Sequence, residues 1–384
     1  MYRHKVIMTQ RTTKLLTLCY EFPPLGGGGG KVVYGLTDNL VPMGYDIDVV
    51  TMGFRGLPRH EKLIGANIYR IPCLRGSESI CHSHEMATYL ACAIPALVRL
   101  YREKRYELNH THFVFPDGIL SYLLKKATGL PYVITAHGSD VPGYNPDRFK
   151  TQHKLIHPLW NAVIENSECI ICPSENLKSL ILRSKPDART EVIPNGFEVD
   201  RLSPHREKGK RVLVVTRVLE RKGVQYLLEA LPGLEHGFEI IVVGEGPYLN
   251  TLKDLATRLG VNVRFLGWLD NDSAEIKELF ETSSIFVFTS EAENFPIVLL
   301  EAMAAGMAII TTNGTGCAEV VGDHAILVRP KDSAGIRKAL ISLFGDPDRC
   351  AELGRSSRKR LEDNFKWHVV ASRYSDLLQK FVRS

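Results

Sequence analysis

Residues 289–306 read TSEAENFPIVLLEAMAAG and follow directly on the β-branched and aromatic run IFVF at 285–288. A short apolar run, a polar loop, a proline and then strong helix formers is the pattern of a buried parallel strand crossing into a helix. Pro296 stands where a first helical position belongs, and residues 297–305 continue as the helix. Glu293 then falls in the loop and Glu301 inside the helix, with the N–H groups of Phe295, Ile297 and Val298 near the positive end of the helix dipole. A carboxylate in the loop can accept from sugar hydroxyls, one on the helix from ribose hydroxyls, and the N–H groups can face a phosphate. Surface charge is the alternative for both carboxylates. It suits Glu301 less, because Leu299, Leu300, Ala302 and Met303 surround it.

The same alternation runs outward in both directions. Strands are expected near residues 14–19, 46–51, 108–112, 132–136, 169–172 and 191–193, then near 211–216, 238–243, 261–266, 285–289, 308–311 and 325–328. Helical patterns lie between them, so the chain reads as α/β, with two doubly wound parallel layers in succession. Residues 194–210, rich in Pro, Gly and charge, form the expected linker between an N-terminal domain, 1–200, and a C-terminal one, 201–365. Ligands of parallel sheets bind beyond the carboxyl ends of the strands, so two facing layers would hold one ligand in a cleft.

Three further segments carry chemistry. Residues 21–31, EFPPLGGGGGK, lead from the first strand into a helical pattern at 32–40. Such a loop lets backbone N–H groups approach an anion at a helix N-terminus; a flexible turn is the alternative. A dinucleotide fingerprint fails, since the fifth residues after Gly26, Gly27 and Gly28 are Lys31, Val32 and Val33, and no GK[ST] follows. Residues 212–223, VLVVTRVLERKG, place Arg217 and Lys222 just past an apolar strand, where the pair could neutralise a diphosphate or simply be solvated. His137 opens HGSD directly after the strand YVITA, a position for a poised neutral imidazole; a satisfied structural histidine is the alternative.

Composition limits the alternatives. The chain has 384 residues, 44% hydrophobic and 24% charged, with a mean hydropathy of −0.07, which excludes fibrous and disordered classes. The first 205 residues hold 24 Lys+Arg against 19 Asp+Glu, the whole net charge of +5, too diffuse for a nucleic-acid stripe. No apolar run approaches the ~20 residues of a spanning helix. The basic N-terminal stretch with Arg3, Lys5, Arg11 and Lys14 lacks the apolar core of a secretory leader, so a cytoplasmic protein is expected. The eight cysteines read as reduced thiols. Cys169 and Cys172 form a CxxC on a strand, where residues three apart point to opposite faces. Cys81, His82 and His84 read as a surface loop without a second ligand pair at zinc spacing. Asp46 and Asp48 spell DxD inside an apolar strand and read as structural, so no metal site is expected. A helical segment at 86–105 carries Tyr89, Leu90, Ile94, Leu97 and Leu100, then Arg99, Arg102, Lys104 and Arg105, with Pro95 between. Packing of its apolar side on the first sheet is the simpler reading; peripheral contact with an anionic membrane is the alternative.

Taken in order, FPPLGG at 22–27, HGSD at 137–140, VIPNG at 192–196, Arg217-x4-Lys222 and Glu293-x7-Glu301 resemble the retaining family 4 glycosyltransferases, also called group 1, over nearly the whole chain. The resemblance implies a GT-B fold: two facing Rossmann-like domains, acceptor on the first and nucleotide-sugar donor on the second, with the last helix, 366–384, packed back on the first. By position it assigns Gly27 and Gly28 to the diphosphate, Arg217 and Lys222 to a phosphate clamp, Glu293 to the sugar, Glu301 to the ribose and the backbone of Leu269 to the base. It also implies a His137 that bonds the sugar near its anomeric carbon. Two residues depart from the pattern: Asn294 stands where many members have Gly, and Pro296 has no N–H to offer. The extra glycines at 26–30 suggest a loop that orders only with donor bound.

The expected activity is retaining, metal-independent transfer of a hexose from a UDP- or GDP-sugar to a carbohydrate or lipid-linked acceptor, in envelope polysaccharide or glycolipid synthesis. The donor is a substrate, and no cofactor or nucleic-acid partner is expected. A nucleotide-sugar isomerase of similar shape would need acid/base groups around C2 of the sugar. A non-catalytic sugar-nucleotide module would be favoured by loss of Glu293 or His137, and both are present.

Overall fold

The computed structural model describes residues 12–78, 80–144, 150–234 and 237–383, with backbone alone at 150–156. The basic N-terminal stretch read above lies, as far as residue 11, outside the described residues.

The chain divides into two compact units. The first comprises the described residues up to Pro173, with Leu177–Gly196 and the segment from Trp367 onward; the second comprises Phe197–Lys366 and Ser174–Asn176. In the first, β1 (Thr13–Leu18), β2 (Tyr45–Met52), β3 (His60–Leu63), β4 (Ala66–Ile71), β5 (Leu108–His112), β6 (Tyr132–Thr135), β7 (Ile170–Cys172) and β8 (Thr190–Val192) form one sheet in the order β3-β4-β2-β1-β5-β6-β7-β8. All pairs are parallel except β3 with β4. In the second, β9 (Gly209–Val215), β10 (Glu239–Val243), β11 (Arg264–Gly267), β12 (Ser283–Phe288), β13 (Ala308–Thr312) and β14 (Ile326–Val328) form a parallel sheet in the order β11-β10-β9-β12-β13-β14. That is the doubly wound order 3-2-1-4-5-6, and β4-β2-β1-β5-β6-β7 repeats it in the first unit.

Each sheet is buried on both faces, as crossover helices require. On β12, Phe286 and Phe288 enter one apolar cluster while Ile285 and Val287 enter the other. On β7 and its approach, Cys169 lies in one cluster of the first unit and Cys172 in the opposite one, so the CxxC forms no joint site. Asp48 is buried in β2, accepting from Asn67 Nδ2 (2.7 Å) and Tyr106 Oη (2.5 Å); the DxD spelling is structural.

Three expectations need correction. The hairpin β3–β4 has no counterpart in the strand pattern; its turn uses Ile64 and Gly65 at φ 48° and 79°. Helix α1 (Gly28–Leu40) begins four residues before the expected 32, so three of the five glycines at 26–30 are helical. Helix α2 (Ser83–Lys104) starts earlier than 86, takes in His84 and runs through Pro95. Of its apolar residues, Tyr89, Leu97 and Leu100 are buried in the first-unit core with Ala93, Leu90 packs against that core, and Ile94 is exposed, as are Arg99, Arg102 and Arg105.

Candidate active site

In a doubly wound sheet the ligand position is the switch point, where neighbouring strands send their connections to opposite faces. In the second unit that point lies between β9 and β12, and the loops after these two strands carry most of the residues singled out above. They are tied together: Glu291 N donates to Arg221 O (2.9 Å) and Thr289 Oγ1 to Gly223 O (3.0 Å). A Cβ on Gly223 would lie 2.1 Å from Thr289 O, so only glycine permits this approach. Gly316 holds the other side, its N–H bonding Glu293 O at 3.0 Å and its Cα so close to Asn294 O that a Cβ would fall at 1.6 Å.

The tied loops bring the Lys222 ammonium onto the Glu293 carboxylate in a mostly buried ion pair. The clamp is therefore not symmetrical. Arg217 is exposed, with no side-chain partner among the described residues, whereas Lys222 is already neutralised. Glu301 is also held: Arg201 Nη1 lies 3.2 Å from its Oε1, and the same guanidinium bonds Asn271 O and lies 3.1 Å from Asp272. Arg201, which no motif marks, thus links the helical carboxylate to the segment just after Leu269, a half-buried residue packed on the apolar cluster. The helix Ile297–Ala304 begins one residue later than expected, with Pro296 as its N-cap rather than its first residue. Leu299 N bonds Pro296 O (3.1 Å), and Ile297 and Val298 occupy the first-turn positions whose N–H groups lack intrahelical acceptors. Phe295 is buried edge-on against Phe365 (5.6 Å), which fixes the approach to that turn. Asn294 Oδ1 accepts from Ser174 Oγ at 2.5 Å, so part of its hydrogen-bonding capacity is used within the unit.

In the first unit the switch point lies between β1 and β5. A Cβ at Gly26 would strike the Glu21 side chain (2.5 Å), at Gly29 the Phe113 ring (2.5 Å) and at Gly30 the Glu21 carbonyl (2.9 Å). At Gly27 and Gly28 nothing lies within 4 Å. Those two glycines have no packing reason to be glycine and face open space at the start of α1, where an anion would meet the first-turn N–H groups from Gly28 onward. Glu21 Oε2 accepts from Gly27 N (3.3 Å) and fixes the turn.

Phe113 joins this loop to His137, its ring lying 4.3 Å from the imidazole and 5.0 Å from Tyr20. Asp140 shapes the HGSD turn: its buried carboxylate accepts from the N–H groups of Val114 (2.8 Å), His137 (3.1 Å) and Gly138 (2.9 Å). His137 does not stand alone. Its Nε2 lies 3.2 Å from His112 Nδ1, and the His110 ring is 4.3 Å beyond His112. Burial pushes His110 and His137 down to about 3 and His112 well below its ordinary value, so all three imidazoles are neutral. The spacing H-x-H at a strand end was the available signal for this row, and Asp140 stood in HGSD without a role read for it; Arg201 had no signal.

Residues 198–360 match the family model described as glycosyl transferases group 1, and residues 26–201 that of glycosyltransferase family 4. Together the two models span most of the chain, which belongs to the group 1 glycosyltransferases of GT-B fold. It is 27% identical to an uncharacterized glycosyltransferase of Methanocaldococcus jannaschii, over 93% of this chain and 96% of that protein. Its fold is similar to that of a sucrose-phosphate synthase from Thermosynechococcus elongatus (TM-score 0.79, 21% identity, 96% and 98% of the two chains). It is also similar to Anabaena HepE in complex with UDP-glucose (TM-score 0.71, 18% identity, 96% and 99%).

Proposed function

We propose that this glycosyltransferase moves a hexose from a UDP- or GDP-sugar to an acceptor hydroxyl with retention of the α configuration, without a metal or cofactor, in envelope polysaccharide or glycolipid synthesis. The observation that carries the reading is the second-unit switch point. There a guanidinium unpaired among the described residues and an ammonium–carboxylate pair lie on loops tied to one another, and an open helix N-terminus with a second carboxylate follows the second loop. Negative charge grows on the leaving diphosphate as the glycosidic bond breaks. Arg217, Lys222 and the N–H groups of Ile297 and Val298 are preorganised to receive it, each charge-assisted bond contributing about 1.5–3 kcal/mol. Gly27 and Gly28 offer the same kind of N–H donor on the first unit.

Lys222 can exchange Glu293 for a phosphate oxygen when donor enters, releasing the Glu293 carboxylate to accept from sugar hydroxyls. Glu301, steadied by Arg201, would take the ribose hydroxyls, and the backbone at Leu269 the base. The neutral His137 would bond the sugar near the anomeric carbon. The family membership and the UDP-glucose bound by a protein of the same fold support this reading. Incubation with UDP-, GDP- and ADP-sugars in EDTA, with and without acceptor, tests it. Acceptor-dependent release of nucleoside diphosphate and an α-anomeric product by NMR are expected. Interconverted sugars, or saturable binding without product, would overturn it.

A further inference from the structure

We infer that His112 is a positioning residue that fixes the tautomer of His137, donating its own Nδ1–H to His137 Nε2 so that His137 carries its proton on Nδ1. The significance of this for transfer rests on the reading above that His137 meets the donor sugar; the tautomer itself does not.

His110 and His112 stand two apart on β5 and share a face, and β6, which runs into His137, pairs beside them with His112 opposite Thr135. A neutral imidazole has one N–H and one lone pair, so only one of the two rings can donate across the 3.2 Å between His112 Nδ1 and His137 Nε2. The far nitrogen of His112 decides which. Nε2 is fully buried and has no hydrogen-bond partner among the described residues. If His137 donated, the His112 proton would have to sit on that Nε2, leaving a buried N–H unpaired, which native structures almost never tolerate. An unpaired lone pair is the milder defect. The proton therefore lies on His112 Nδ1, His137 Nε2 is the acceptor, and the His137 proton is on Nδ1. His110 sits behind this pair with its Nε2 2.8 Å from Thr135 Oγ1 and cannot relieve it. With its Nε2 lone pair occupied and its Nδ1 protonated, His137 enters the reaction as an N–H donor and has no lone pair left to act as a base.

Long-range 1H–15N spectra of histidine-labelled resting enzyme read the tautomers directly. Both His112 and His137 should show the Nδ1–H pattern, without titration between pH 6 and 8; an Nε2–H pattern for His137 overturns the inference. As a second readout, His112→Asn keeps an N–H near the Nδ1 position and His112→Leu does not. The loss of one oriented hydrogen bond predicts roughly a tenfold fall in kcat for His112→Leu, with the donor KM nearly unchanged and most of the loss restored in His112→Asn. Equal losses in both variants, or none in His112→Leu, contradict it. An inactive protein that nevertheless shows both Nδ1–H patterns would refute the proposed activity and leave the tautomer assignment standing.

Discussion

A guanidinium surrounded by water and an ammonium already seated on a carboxylate respond differently to removal. Arg217→Ala should weaken nucleoside diphosphate binding by about 1.5–3 kcal/mol and leave the urea midpoint unchanged, because nothing in the unit leans on that side chain. Lys222→Ala should weaken binding too, and it should also cost about 1–3 kcal/mol of stability by stranding the mostly buried Glu293. Lys222→Ala/Glu293→Gln should recover most of that stability. Equal midpoints for the two single variants would mean the ion pair is absent in solution. Asp117 gives a pH signature. Burial pushes it up to about 8, although its carboxylate accepts from Tyr20 N (2.9 Å) and Tyr89 Oη (3.0 Å). Between its ordinary 3.8 and 8 the folded state holds a proton that the unfolded chain has released, so its contribution to stability falls as pH rises through that window. Asp117→Asn stays neutral, and its stability relative to the wild type should climb from pH 4 to pH 8 and then level off. A constant difference in urea midpoints would contradict that.

At the level of elements, the C-terminal helix Trp367–Gln379 packs into the first unit through Val370, Ala371, Tyr374, Leu377 and Leu378, and its first residue adds a tightly fitted ring. The Trp367 indole lies where a Cβ on Gly35 of α1 would come within 2.3 Å, and one on Gly196 within 2.2 Å. Alanine normally favours a helix interior over glycine by about 0.5–1 kcal/mol. Here Gly35→Ala should instead destabilise by about 1–3 kcal/mol through overpacking, and amide exchange should accelerate at residues 367–379. A more stable variant would show that the indole moves aside freely. The same kind of contact explains what periodicity missed. The glycine run looked like a loop because five glycines have poor helix propensity. Gly29 and Gly30 must be glycine because Phe113 and the Glu21 carbonyl leave no room for a side chain, so poor helix formers open α1 for a tertiary reason invisible along the sequence. The β3–β4 hairpin escaped because its exposed strand His60–Leu63 carries little apolar pattern and its turn places Ile64, not Asn or Asp, at positive φ.

Across the whole molecule, two sheets share one winding order; the second puts its distinctive residues at its switch point, and the first puts the glycine loop at its own with His137 one strand further, after β6. That much was legible in the sequence, because strand runs and loop motifs are local. The pairing of Lys222 with Glu293, of Arg201 with Glu301 and of His112 with His137 was not, because those partners are 71, 100 and 25 residues apart. Apart from Gly27 and Gly28, the residues proposed to hold nucleotide lie in the second unit, so adding UDP or GDP should slow amide exchange at residues 216–223 and 290–301. The central claim, that Glu293 reads the sugar and Glu301 the nucleoside, is tested most directly by measuring two quantities on each of Glu293→Gln and Glu301→Gln: affinity for the free nucleoside diphosphate, and kcat with the intact donor. Glu293→Gln should leave affinity intact, since Lys222 is then free for phosphate, while turnover collapses; Glu301→Gln should lose affinity first. Equal effects of the two substitutions on both quantities would contradict the division of roles.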